Sequence, residues 1–135
     1  MVDQRAAADK SLLPDGSTPR IMVIEDEPLI AMGLKMVLEG MGCEVPVTVD
    51  NATDAVTQAT ANDFHLILAD VRLKGSEDGI SAVERILKRR PVRVLFVTGN
   101  AGEVANRGMG HIDVLSKPFM PSALERSVRA ILSRP

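Results

Sequence analysis

The chain has 135 residues, room for one domain with a proper core. Sixteen basic against eighteen acidic residues leave a net charge of −2, and the only aromatics are three Phe, which argues against nucleic-acid or anionic-membrane binding. One cysteine, Cys43, excludes an internal disulfide, and two histidines are too few for a Cys/His zinc site.

In chain order, residues 1–19 read as a flexible tail closed by the linker-like "PDGSTP". A short helix over "QRAAADKSLL" would be marginal on its own. No signal-peptide run and no membrane-length apolar stretch is present, so a cytoplasmic location is expected by elimination. The domain is expected over residues 20–135. Apolar, β-branched runs follow at "RIMVIE", "EVPVTV", "HLILAD", "VRVLFVT" and "HIDVLS". They do not alternate with polar residues, which suits strands buried on both faces of a parallel sheet. Helix-like patterns separate most of them, so the fold class is a doubly wound α/β domain.

The first helix is expected to begin at Pro28 and end at Gly40 or Gly42, with Ile30, Leu34, Val37 and Met41 inward. Leu29, Met32 and Met36 fall on or beside its outer face. The second should start near Asp50 or Asn51 and bury Ala52, Ala55, Val56 and Ala59. The third is expected from Asp78 to Arg89 with Ile80, Val83 and Leu87 inward. The fourth position holds "GNAGEVANRGMG", whose glycines predict a short or irregular element. The last helix follows Pro121 and buries Leu124, Val128, Ile131 and Leu132. Cys43 reads as a small hydrophobe at a strand start. His65 and His111 read as core-edge residues at strand starts, and "KRRPVR" as a solvated helix end.

Ligand sites in open α/β sheets lie beyond the C-terminal strand ends. Those ends carry Glu25 and Asp26, then Asp70, then Thr98, then Lys117. Carboxylates suit a hard divalent cation, lysine a phosphate, and a threonine hydroxyl a phosphoryl oxygen. An aspartate can itself take the phosphoryl group as a nucleophile. Three consecutive acids, Glu25 to Glu27, repel one another unless a positive charge sits among them, and a metal would supply it. Taken singly, each residue has a plainer reading: Glu27 as a helix-start acid, Asp70 as a turn residue, Thr98 as a strand end, Lys117 as a surface charge. The convergence of all of them on one sheet edge favours the chemical reading.

The motifs "VIEDEP", "LILADVRL", "LFVTG" and "SKPF" resemble the receiver domain of bacterial two-component response regulators, over residues 20–135. The resemblance implies a flavodoxin-like, five-stranded parallel sheet in the order 2-1-3-4-5. It implies Mg²⁺-dependent phosphoryl transfer to Asp70 from a phosphohistidine on a sensor histidine kinase or histidine phosphotransfer protein, with Mn²⁺ as a possible substitute. Glu25, Asp26, Asp70 and the backbone carbonyl of Arg72 would hold the metal, with Thr98 and Lys117 on the phosphoryl oxygens. Lys117–Pro118 would be a cis peptide. The sequence departs from the pattern at Val114, where Tyr or Phe is usual. It also has a longer loop after Asp70 and a shorter segment between Thr98 and Lys117.

"ADVRLKGSEDGISAV" is similar to receivers of alphaproteobacterial stress-response regulators. With no output domain after Pro135, a stand-alone receiver is expected, a switch rather than a turnover enzyme. It would signal to a downstream protein or drain phosphoryl groups. A metal-dependent phosphohydrolase with an aspartyl-phosphate intermediate is the alternative. A degenerate receiver that never accepts phosphate is a third reading.

Overall fold

The computed structural model describes residues 12–135. The helix considered over residues 4–13 and most of the expected tail lie outside the described residues. Packing begins upstream of Arg20, however: Leu13 is buried against the core, and Pro19 accepts a 2.8 Å bond from the Glu44 N–H.

Five parallel strands form one sheet: β1 (Arg20–Ile24), β2 (Glu44–Val49), β3 (Leu66–Ala69), β4 (Arg93–Thr98) and β5 (Asp113–Ser116), in the order β2-β1-β3-β4-β5. That is the expected topology. β1, β3 and β4 are almost wholly buried, as their unbroken apolar runs require. Edge strand β2 carries Pro46, which has no N–H to donate. The register slips there, from Arg20↔Glu44 to Met22↔Val47, so β2 holds one extra residue.

Helices cover both faces: α1 (Pro28–Gly40), α2 (Ala52–Ala61), α3 (Gly79–Arg89), α4 (Ala101–Val104) and α5 (Pro121–Leu132). One core layer takes α2 and α3, the other α1 and α5. α2 and α5 bury the four residues expected of each. Asn51 and Asp78 cap α2 and α3 through 2.9 Å bonds from the Asp54 and Ser81 N–H groups. α1 ends in a Schellman turn. The Cys43 N–H bonds Leu38 O at 3.0 Å, and Gly42 supplies the left-handed φ of 95°.

Three expectations need correction. α1 turns its deepest face through Ala31, Leu34 and Leu38, while Ile30, Val37 and Met41 are only half-buried. Small Ala31 lets the helix approach the sheet closely, so the flanking residues form its margins. In α3, Ile86 is the deeply buried residue, and Leu87 packs at the rim. His111 is exposed, because Ile112 takes the inward position beside it. His65 does sit at the core edge, where its Nδ1 accepts the Arg20 N–H at 2.9 Å.

The "KRRPVR" stretch is more than a solvated end. Arg90 bonds Asn62 O and Asp63 at 2.8 and 2.7 Å, and Arg93 caps the end of α5 at Ile131 O and Arg134 O. The glycine-rich stretch is irregular as expected. α4 is a single turn, continued by a π-helical turn over Ala105–Met109 in which Gly108 has φ 82°. Only Val104 and Met109 anchor it deeply. No helix among the described residues is long and apolar enough to cross a membrane.

Candidate functional site: a carboxylate–lysine cluster at the sheet edge

The ladders extend one residue past β1 and β3 and so place the acids. The Glu25 N–H bonds Val49 O, and the Asp70 N–H bonds Ile24 O, both at 2.9 Å. Lys117 is placed from the other side, its N–H bonding Thr98 O at 3.0 Å. The Lys117–Pro118 peptide is cis.

Side chains close the cluster. One carboxylate oxygen each from Glu25, Asp26 and Asp70 lies within 4.8 Å of the others. Lys117 Nζ donates to Glu25 Oε1 and to Asp70 Oδ2, each at 2.8 Å. The second oxygens are also held: Val71 N–H donates to Asp70 Oδ1 at 2.7 Å, and Glu27 N–H to Glu25 Oε2 at 3.2 Å. Thr98 is fully buried at the end of β4, and its Oγ1 accepts the Asn100 N–H at 3.0 Å.

Electrostatics follow from burial. Loss of solvent pushes the Glu25 carboxyl up to about 7; the bond from Lys117 opposes the rise and the Asp70 charge adds to it. Burial works against the Lys117 ammonium, but Asp70 and Glu25 outweigh it and raise its pKa. Lysine thus supplies part of the positive charge that the acid run demands. The remaining donor set is three crowded carboxylates with Asp26 on the open side. That composition and spacing fit a hard divalent cation such as Mg²⁺, which takes one or two carboxylates and keeps waters.

Asp26 and Arg72 line a polar cleft of about 520 Å³ between the loop after β3 and the start of α4. The Arg72 side chain is exposed. The loop is pinned at both ends. Lys74 pairs with Asp50 through a 3.1 Å backbone bond and a 3.2 Å ion pair. Arg107, from the π-helical turn, reaches Asp78 at 2.8 Å. Burial alone would raise the Asp78 carboxyl, but the bonds from Arg107 and Ser81 carry it below the usual range.

The structure therefore gathers Glu25, Asp26, Asp70 and Lys117 in direct proximity, with Thr98 one strand over. Two contributors were missed from sequence. Arg107 carried no pattern, because its partner lies 29 residues upstream. Gly79 did carry a signal: a glycine at the first position of a helix, where better helix formers abound. A Cβ there would stand 1.7 Å from the Asp70 carbonyl oxygen.

The family model described as "Response regulator receiver domain" matches residues 21–129. The chain is 35% identical over 133 residues to the Phyllosphere-induced regulator PhyR of Methylorubrum extorquens, covering 94% of this chain and 46% of that protein. It is 30% identical to the Aerobic respiration control protein ArcA of Escherichia coli, covering 87% of this chain and 50% of that one. The chain thus spans about half the length of these curated relatives. Among solved structures it resembles the receiver domain of PhyR from Erythrobacter litoralis, with TM-score 0.79, 30% identity, and 86% and 91% of the two chains covered. It also resembles the receiver domain of sensor histidine kinase PA1611 from Pseudomonas aeruginosa, whose active-site cleft holds a magnesium ion, with TM-score 0.75, 27% identity, and 86% and 98% covered. With the sheet order, the acid cluster and the half-buried lysine in agreement, the chain belongs to the response regulator receiver domain family.

Proposed function

We propose that this chain is a phosphorylation switch that accepts a phosphoryl group on Asp70 from a phosphohistidine of a sensor kinase or phosphotransfer protein. The observation that carries this reading is the bridging of Asp70 and Glu25 by Lys117 Nζ, 2.8 Å from each, with Asp26 beside them. An Asp70 carboxylate oxygen attacks phosphorus in line. The bond from phosphorus to the donor imidazole nitrogen breaks, and its electron pair returns to the ring. Lys117 is poised to carry its hydrogen bond from Asp70 to an oxygen of the transferred group. Thr98 accepts only the Asn100 N–H, which leaves its hydroxyl hydrogen for a phosphoryl oxygen. Glu25, Asp26, Asp70 and the Arg72 carbonyl would hold Mg²⁺, or Mn²⁺ in its place. The ion would neutralise charge on the transferring oxygens.

A turnover hydrolase would need a spare general acid, but both histidines sit at the opposite sheet end, and Glu25, whose carboxyl pKa is raised by burial, is tied to Lys117. The donor docks over α1. Leu29, Met32 and Met36 are 81%, 57% and 66% exposed, and Ile30, Val37, Pro118 and Phe119 line an adjoining groove of about 630 Å³. The product then alters the surface offered to a downstream protein partner, and the switch works in the cytoplasm.

Intact mass after treatment with acetyl phosphate and Mg²⁺ tests the reading. One phosphoryl adduct is expected, absent from Asp70→Asn. An adduct that survives in Asp70→Asn overturns the assignment, and turnover of small phosphate esters would favour the hydrolase.

A further inference from the structure

Gly79 packs its α-carbon onto the backbone of the phosphoacceptor. A Cβ there would meet Asp70 O at 1.7 Å, the Asp70 carbonyl carbon at 2.8 Å and Val71 Cα at 3.2 Å. All three are backbone atoms, so no flexible side chain can yield. The glycine is not needed for its torsion angles, since Gly79 is absent from the residues with positive φ. Space alone requires it.

The obstructed oxygen belongs to a planar unit that does a second job. Asp70 C=O and Val71 N–H are two ends of one peptide plane. On the N–H side, Val71 donates to Asp70 Oδ1 at 2.7 Å. On the C=O side, the plane rests against Gly79. The Gly79 N–H also donates to Val71 O at 2.7 Å, closing the loop that carries Arg72. Pushing the carbonyl outward must rotate the plane and swing the N–H away from Oδ1.

We infer that Gly79 is a positioning residue for phosphoryl transfer: its missing side chain sets the tilt of the Asp70–Val71 peptide and, through the Val71 N–H, the aim of the Asp70 carboxylate. The inference rests on Asp70 being the phosphoacceptor, but its geometric half stands apart from that reading. With the plane fixed, Oδ1 is held by its own backbone and Oδ2 by Lys117, so the carboxylate has one orientation before a donor arrives. Such pre-alignment is where intramolecular positioning accelerates a reaction.

The test is Gly79→Ala in the full chain, beside Ala82→Gly as a destabilised control in the same helix. Labelling by acetyl phosphate with saturating Mg²⁺ should have a maximal rate lower by about tenfold or more, with acetyl phosphate half-saturation within about twofold of the parent. Ala82→Gly should keep the parent rate. In amide NMR spectra of the metal-free proteins, the Val71 proton should move upfield in Gly79→Ala, toward its position in Asp70→Ala, while β1 and β4 amides stay in place. A folded Gly79→Ala with an unmoved Val71 amide or the parent labelling rate overturns the inference. Should Gly79→Ala not fold, replacing Val71 by its α-hydroxy acid removes the same N–H without adding bulk, and parent-rate labelling in that protein overturns it equally. A parent protein without label at Asp70 overturns the functional reading, and the Val71 amide shift still decides the geometric half.

Discussion

At the level of single residues, the site is a balance of charges that a proton can tip. The Glu25 carboxyl stands at about 7, above the ordinary 4.5 it would have in the unfolded chain. A group raised on folding holds its proton better when folded. Its stabilising contribution is therefore complete below about pH 4.5 and is lost as pH rises through about 7. The metal-free protein should lose melting temperature across that window. Glu25→Gln should flatten the slope, as scanning calorimetry at several pH values would show. Were Glu25 to hold Mg²⁺ as proposed, binding would expel the same proton, so Mg²⁺ affinity should fall by up to about tenfold per pH unit below 7 by calorimetric titration. Asp26→Ala should weaken Mg²⁺ far more than Glu25→Ala, because Asp26 is on the open side of the cluster while Glu25 is tied to Lys117. Unchanged affinity in Asp26→Ala would place the metal elsewhere. Chain order alone was enough to nominate Glu25, Asp26, Asp70, Thr98 and Lys117. Gly79 escaped notice because its importance is an absence of atoms next to a residue nine positions away.

Elements differ in how firmly they are held. α2 and α5 were readable because their apolar spacing agrees with their start signals, the Asn51 cap and Pro121 at the first helical position. α1 was less so, since helical period alone does not say which edge of a broad stripe meets the sheet. The segment from Gly99 to Gly110 is the weakest, with one α-turn, one π-turn and two deep anchors. Val114 on β5 stands where the family pattern has Tyr or Phe, so under the proposed switch a change at Thr98 would travel through this backbone instead of an aromatic side chain. Hydrogen exchange over 99–110 should slow on addition of beryllofluoride and Mg²⁺, by more than any change in α2. Equal changes in both would remove the segment from the relay. Arg107 fastens it to the cap of α3. Asp78→Asn keeps the capping oxygen but removes the charge, so exchange in 99–110 should quicken while the start of α3 stays protected. α1 is firmly packed and should serve as a rigid platform. Charged substitutions at Leu29 and Met32 should slow transfer from a phosphohistidine donor yet spare labelling by acetyl phosphate. Loss of both would mean damage to the fold.

Across the whole molecule, strand runs and helix spacing were enough to indicate a parallel α/β sheet. The strand order came only with the family motifs, since periodicity does not say which strands are neighbours. Long-range fasteners stayed hidden. Arg93 to the end of α5, Arg134 to Asp113 and Leu13 to the core each join residues far apart in sequence, and nothing local marks them. One of the features visible in the sequence has a further effect on the molecule's behaviour in a crowded solution. Among the described residues β2 is an edge strand, and a flat edge is a template on which another chain can grow a fibril. Pro46 has no N–H to offer such a template, and the register slip around it interrupts the regular ladder. Pro46→Val should leave the site untouched. On prolonged incubation at high concentration, though, it should shorten the lag before thioflavin-positive aggregates form, whereas the parent edge stays inert.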